Sequence, residues 1–215
     1  SNTVSVLHNT SSIGSITSGS FAAQVTFATG TSPQLVAIGD IDGDGKPDLA
    51  VNNQNSDNVS VFHNTSSSGS ITSGSFATQV PFATGDNPSS LAIGDIDGDG
   101  KPDLAVANAI DATVSVLRNT SSSGSITSGS FAARVNYATG AFPFSVAIGD
   151  LDGDGKPDLA TANYASNNVS VIRNNPLMAP PTVTAVSPTA ANPGTTVTLT
   201  GTNFNTTPAN NIVYF

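Results

Sequence analysis

One string, A-I-G-D-I/L-D-G-D-G-K-P-D-L-A, stands at Ala37–Ala50, Ala92–Ala105 and Ala147–Ala160, so the chain repeats itself every 55 residues. Other segments keep the same phase. G-S-I-T-S-G-S-F recurs at Gly14–Phe21, Gly69–Phe76 and Gly124–Phe131, and a β-rich stretch recurs from Thr3, Asn58, Thr113 and Asn168. A fixed period of this length means stacked supersecondary units, because one such unit cannot bury its apolar faces alone.

Thr, Val, Ser, Asn and Gly dominate the units, the palette of strands and turns, so the expected class is all-β. The middle unit reads as four strands, near Phe76–Ala83, Ser90–Gly94, Leu104–Asn108 and Thr113–Asn119. Val114 and Val116 alternate with Thr113 and Ser115, whereas Leu91–Ile93 and Leu104–Val106 are short apolar runs suited to strands covered on both faces. Four antiparallel strands per period point to β-propeller blades. Three periods fall short of the roughly four to eight blades that close a propeller, so these units are expected to be part of a larger one. The repeat is expected to fill residues 1–175. Pro176, Pro180 and Pro181 then make a stiff linker at 176–181, and 182–215 reads as the start of an immunoglobulin-like β-sandwich, with strands at Thr182–Val186 and Thr196–Thr200.

Acidic residues outnumber basic ones 15 to 6, for a net charge of −9, which disfavours nucleic acid and anionic membranes as partners. Every acid is Asp, a bias that asks for a specific task for the short carboxylate. Twelve of them sit in three nine-residue loops, 40–48, 95–103 and 150–158. Positions one, three, five and nine are Asp40, Asp42, Asp44 and Asp48; Asp95, Asp97, Asp99 and Asp103; Asp150, Asp152, Asp154 and Asp158. Alternate spacing turns three carboxylates toward one centre, and Gly45, Gly100 and Gly155 at position six permit the sharp turn used in EF-hand loops. Lys46, Lys101 and Lys156 at position seven are expected to lend their backbone carbonyls. Oxygen-only, highly charged donor sets suit Ca²⁺ before Mg²⁺, and neither zinc nor copper, so three Ca²⁺ sites are expected. Carboxylates ~4 Å apart would otherwise repel by up to about 4 kcal/mol per pair at an effective dielectric near 20.

The run Ala37–Val51 resembles the core of the FG-GAP/VCBS repeat of integrin α-subunit propellers and of many secreted bacterial proteins. The resemblance covers about residues 1–175. It implies propeller blades whose hairpin loops bind Ca²⁺ through the first, third, fifth and ninth carboxylates and the seventh carbonyl. The F-G…G-A-P element of the integrin version is not evident, so the bacterial VCBS type is nearer. The tail, S-P-T-A-A-N-P-G-T-T-V-T-L-T-G-T-N-F, is similar to the opening of an IPT/TIG immunoglobulin-like domain. Both resemblances imply a secreted or cell-surface protein engaged in adhesion, or a spacer beside catalytic modules.

Catalysis is not expected. No G-x-S-x-G elbow occurs, no Cys can serve as a nucleophile, and carboxylates committed to a cation are poor general acids. His8 and His63 read as one tolerant polar position, since Arg118 and Arg173 hold it in later periods. Sequons at Asn9, Asn58, Asn64, Asn119, Asn168 and Asn205 read as incidental to the Asn/Ser/Thr-rich repeats. Phe21, Phe76 and Phe131, with Phe27, Phe82 and Tyr137, recur in phase as packing residues do, while Phe142, Phe144 and Tyr164 break the pattern in the third unit. No run is long enough to span a bilayer, and Ser1–Thr10 has no signal-peptide character. The chain therefore reads as an internal part of a longer extracellular polypeptide. Two functions are expected from these features: a calcium-stiffened structural or adhesion module that contacts another protein or itself, or a carbohydrate-binding module attached to a secreted enzyme.

Overall fold

A computed structural model describes residues 1–174, 182–187 and 198–202 of the chain. Two compact units divide it, Ser1–Asn174 and Asn175–Phe215. The Pro-rich linker expected at 176–181 lies outside the described residues. In the second unit β14 (Thr182–Ser187) and β15 (Thr198–Thr202) pair antiparallel, with a bulge between Val183 and Ala185. The second of these strands ends two residues beyond the expected Thr200.

The first unit is entirely strands and turns. Its complete sheets are β3 (Pro33–Gly39), β4 (Asp48–Asn53), β5 (Asn58–Phe62) and β6 (Val80–Ala83), followed by β7 (Pro88–Gly94), β8 (Asp103–Asn108), β9 (Thr113–Leu117) and β10 (Val135–Ala138). Each is an antiparallel meander in sequence order, the arrangement of a propeller blade. β1 (Thr3–Val6) and β2 (Val25–Ala28) form a two-stranded sheet equivalent to the outer half of a blade. β11 (Pro143–Gly149), β12 (Asp158–Asn163) and β13 (Asn168–Ile172) form the inner three strands of another.

Three expected boundaries shift, each for a local reason. The strand expected at Phe76–Ala83 is confined to Val80–Ala83. Phe76 makes an isolated bridge with Asn64 and turns its ring edge-on to Phe27, 5.1 Å away. The third strand stops at Leu117 rather than Asn119, because the Asn119 amide donates to the Asp103 carboxylate instead of to a neighbouring strand. The inner strand starts earlier, at Pro88, across a bulge between Pro88 and Ser90. The Ser/Gly tract after the third strand is a closed loop, zipped at its base by Thr120 N–H to Ser130 O and Ala132 N–H to Arg118 O, both 2.9 Å.

The sheets stack through their inner strands. A Cβ placed on Gly39 would meet the Ile93 side chain at 3.3 Å, and one on Gly94 would meet Ile148 at 3.2 Å. A residue without a side chain leaves room for the isoleucine of the next inner strand, which would otherwise have to shift by a few tenths of an ångström. Val59, Val61, Leu91, Leu104 and Val106 fill the first interface, and Ala105, Ala107, Val114, Val146 and Leu159 fill the second. β4 and β8 are buried along their whole length, which accounts for the short apolar runs Leu49–Val51 and Leu104–Val106 at their centres.

Burial differs at the two ends of the stack. Val59 and Val61 are 0% exposed, while their equivalents in the last sheet of this unit, Val169 and Val171, are 65% and 60% exposed. At the opposite end Val36 and Ile38 are 45% and 66% exposed, against 5% for Leu91, the counterpart of Val36. Covering a valine side chain contributes about 1.5–3 kcal/mol. Val59→Ala is therefore expected to lower unfolding stability by about 2 kcal/mol, and Val169→Ala by about 0.5 kcal/mol or less. Urea unfolding of both variants checks this, and equal losses would mean that the face of β13 is covered in solution.

Candidate metal centre

Each nine-residue loop is the hairpin that joins a first strand to a second: β3 to β4, β7 to β8, and β11 to β12. The backbone passes through the left-handed region at position four (Gly43, φ 72°) and position six (Gly45, φ 86°), with matching values in the other two loops. A Cβ is strained there, which is why both positions are Gly. The curl presents successive amides to the carboxylates. Asp44 N–H donates to Asp40 Oδ1 (3.0 Å) and Asp42 Oδ1 (3.2 Å), Gly45 N–H to Asp40 Oδ2 (2.9 Å), and Lys46 N–H to Asp44 Oδ1 (2.8 Å). The same set recurs around Asp95, Asp97 and Asp99 and around Asp150, Asp152 and Asp154. These bonds aim the side chains inward.

Oxygens of Asp40, Asp42 and Asp48 lie within 4.8 Å of one another, as do those of Asp95, Asp97 and Asp99 and those of Asp150, Asp152 and Asp158. Asp44 groups with Asp42 and His63 rather than with Asp40 and Asp48. Asp103 stands outside the second trio and Asp154 outside the third; a guanidinium nitrogen of Arg173 lies 3.5 Å from Asp154. The ammonium of Lys101 reaches away to the carbonyl of Ser121 at 2.7 Å.

The ninth-position carboxylates hold the loop to the sheet. Asp48 accepts the Ile41 amide (3.0 Å) from its own loop and the Asn64 amide (2.8 Å) from the end of the third strand. Asp103 does the same with Ile96 and Asn119, and Asp158 with Leu151 and Asn174. All three are buried. Burial pushes the Asp48 and Asp103 carboxyls above the ordinary value of 3.8, with the charge of Asp42 or Asp97 adding to it and the two amides opposing it. Buried acids that stay hard to ionise despite two amide donors are short of positive charge. Asp42 adds a second sign: its Oδ2 is buried and has no hydrogen-bond partner. An all-oxygen set with acceptors to spare fits a hard divalent cation.

Asn64, Asn119 and Asn174 were visible in the sequence only as an in-phase Asn ending each β-rich stretch. Their side chains turn out to clamp the loops. Asn64 Nδ2 donates to Pro47 O (2.7 Å), and Asn119 Nδ2 donates to Pro102 O (2.8 Å) and, across the interface, to Ile41 O (2.7 Å) in the preceding loop. Asn174 Nδ2 reaches Ile96 O in the same way, at 2.7 Å. Ser121 and Ser123 reinforce the first of these contacts through Ile41 O and Gly43 O. Two sequons fall on these clamps: Asn64 and Asn119 are buried with their amides engaged, so neither can carry a glycan in the folded chain. His63, expected to be merely tolerant, lies with Nδ1 2.8 Å from Asp42 Oδ2.

Asn119→Ala removes the side-chain donor shared by Pro102 O and Ile41 O and is expected to cost about 1–3 kcal/mol, whereas exposed Asn9→Ala should cost under about 1 kcal/mol; denaturant unfolding of the pair measures the difference. The raised Asp48 and Asp103 values also fix a pH trend. Between 3.8 and the higher folded-state values the metal-free folded chain binds more protons than the unfolded chain, so its stability falls as pH rises through that window. Thermal melts in chelator should therefore give a higher midpoint near the acid end of the window than at neutral pH. A midpoint that climbs instead would show these acids to be well paired without metal.

No curated protein matches the chain. Residues 181–215 match the IPT/TIG domain, the region that contains the antiparallel pair β14–β15. Residues 1–51, 40–106 and 95–161 match the FG-GAP-like repeat, the first span containing one Asp-rich hairpin and the other two containing two each, and together they cover most of the chain. The chain belongs to the FG-GAP-like repeat family.

Proposed function

We propose that this chain is a calcium-binding, non-catalytic structural and adhesion module of an extracellular protein, acting through contact with another protein or with a second copy of itself. The observation that carries the reading is the triplicate hairpin in which three aspartates converge, with oxygen donors alone in the second and third loops. In each loop the ion is held by the carboxylates of positions one, three, five and nine, with the carbonyl of Lys46, Lys101 or Lys156 as the further ligand. Three divalent ions would remove about two thirds of the net charge of −9 and with it much of the self-repulsion. Because Asn119 and Asn174 tie one sheet to the loop of the sheet before it, an ion that rigidifies a loop also rigidifies the stack. Three equivalent sites suit a scaffold better than an active site. Extracellular calcium matches the weak affinities of loops in extracellular modules. No helix among the described residues is long and apolar enough to cross a membrane.

The alternative, a carbohydrate-binding module, draws on one feature: Phe144, Tyr164, Asn163, Asn167 and Asn168 line a groove on the third sheet. Aromatic faces with amides beside them suit sugars. Yet the first-sheet equivalents of Tyr164 and Asn167, Gln54 and Asp57, hydrogen-bond to Asn87 of the next sheet. The groove thus occupies the place where a following blade seats, which favours a protein occupant. A glycan array separates the two, and saturable binding lost in Tyr164→Ala would favour the sugar.

Melting with and without chelator tests calcium. A ligand at 100 times its Kd stabilises by about 2.7 kcal/mol per site, so the midpoint should climb steadily with Ca²⁺ and fall in EDTA. Isothermal titration should find about three sites, with Asp97→Ala removing one. A flat midpoint together with no binding heat would overturn the assignment.

A further inference from the structure

The three loops differ at one neighbouring position. Residues 63, 118 and 173 are equivalent, and they are His, Arg and Arg. Arg173 donates Nε to Asp152 and places Nη2 3.5 Å from Asp154, so a fixed side-chain cation already leans on the third loop. Among the described residues Arg118 makes no ion pair with the second loop. His63 instead brings an imidazole to the first: Nδ1 is 2.8 Å from Asp42 Oδ2 and 3.7 Å from Asp48 Oδ1.

Neither Nδ1 nor Asp42 Oδ2 has a hydrogen-bond partner, although both are buried and the Asp42 side chain is wholly enclosed. Buried polar atoms this close with no hydrogen bond between them are costly unless something else joins them. Donors bound to one metal at about 2.1 Å and roughly at right angles are about 3 Å apart, close to this separation. Asp44 completes the group: Asp42, Asp44 and His63 each offer an atom within 4.8 Å of the others.

We propose that the first loop is a mixed nitrogen–oxygen site in which His63 Nδ1, Asp42 and Asp44 bind a first-row transition divalent cation of the Zn²⁺ or Co²⁺ kind. The other two loops, with Arg at the equivalent position, lack that preference. Imidazole suits zinc, copper, iron and nickel, whereas Ca²⁺ takes oxygen. The module then carries one site of different selectivity at a defined place in the stack, a point where a metal other than calcium sets its rigidity. The inference shares with the proposed function the premise that these loops take cations, but it does not need calcium to be the natural one.

Co²⁺ is the probe, because its visible bands report nitrogen ligation and geometry. The whole chain is titrated with Co²⁺ and with Zn²⁺ in the presence of Ca²⁺, beside His63→Arg, which installs the residue the other two repeats carry, and His63→Gln. One equivalent of Co²⁺ should give ligand-field bands that one equivalent of Zn²⁺ abolishes. The His63 imidazole proton signals should shift with it, and both variants should lose about tenfold or more in Co²⁺ affinity while their calcium-dependent melting shift is kept. Co²⁺ bands unchanged in the variants, equal Co²⁺ binding by all three loops, or no Co²⁺ binding at all would overturn the assignment and leave His63 as an ion-pair partner of Asp42. Co²⁺ binding that depends on His63 in a chain whose melting ignores Ca²⁺ would uphold this site and sink the calcium reading alone.

Discussion

A carboxylate taken out of water must be met by donors or by a cation, and the ninth aspartate of each hairpin is where this chain meets that demand. Asp48, Asp103 and Asp158 are buried, and each accepts one amide from its own loop and one from the end of the third strand. The same side chain thereby closes the loop, stops the third strand and fixes the distance between them. Donation from two neutral amides does not fully offset the burial, as the raised carboxyl values of Asp48 and Asp103 indicate. The fold is built with a deficit of positive charge at the same place in the first two loops.

Stacking depends on that arrangement. The amides of Asn119 and Asn174 run from the end of one sheet's third strand to a carbonyl in the loop of the sheet before it. Loop conformation and blade packing are therefore one structural problem. Gly39 and Gly94 admit the isoleucines of the next inner strand, and the valines of the third strands fill the space between sheets. Where a neighbouring sheet is present these valines are sealed, and where none is present the same residues stand in solvent. The exposed faces have the composition of an interior, which is why a protein surface, in the form of a further blade or a second copy, is the natural occupant.

Repetition does not make the three sites equal. The position that holds His63, Arg118 and Arg173 samples three relations to an otherwise constant loop. Arg173 contributes charge directly to Asp152 and Asp154, and His63 sets its Nδ1 2.8 Å from a carboxylate oxygen of Asp42. Sites that share their aspartates can differ in what they hold because one neighbour differs.

Much of this was legible in the residues themselves. The period of 55, the glycines of the loop and the alternation of Val with Thr and Ser fix the all-β class, the number of repeats, the hairpin position of the Asp cluster and the identity of its acids. These are local properties: backbone strain at positive φ, a two-residue side-chain period and carboxylate spacing are all set within a few residues. Tertiary structure decided what depends on contacts between residues far apart in the chain. It placed Asn119 against a loop 78 residues away, withdrew Asn64 and Asn119 from the surface, packed the Phe76 ring on Phe27, and set His63 beside Asp42. It also separated valines of identical sequence context into sealed and exposed ones, since burial belongs to the neighbour that a face meets and not to the residue that forms it.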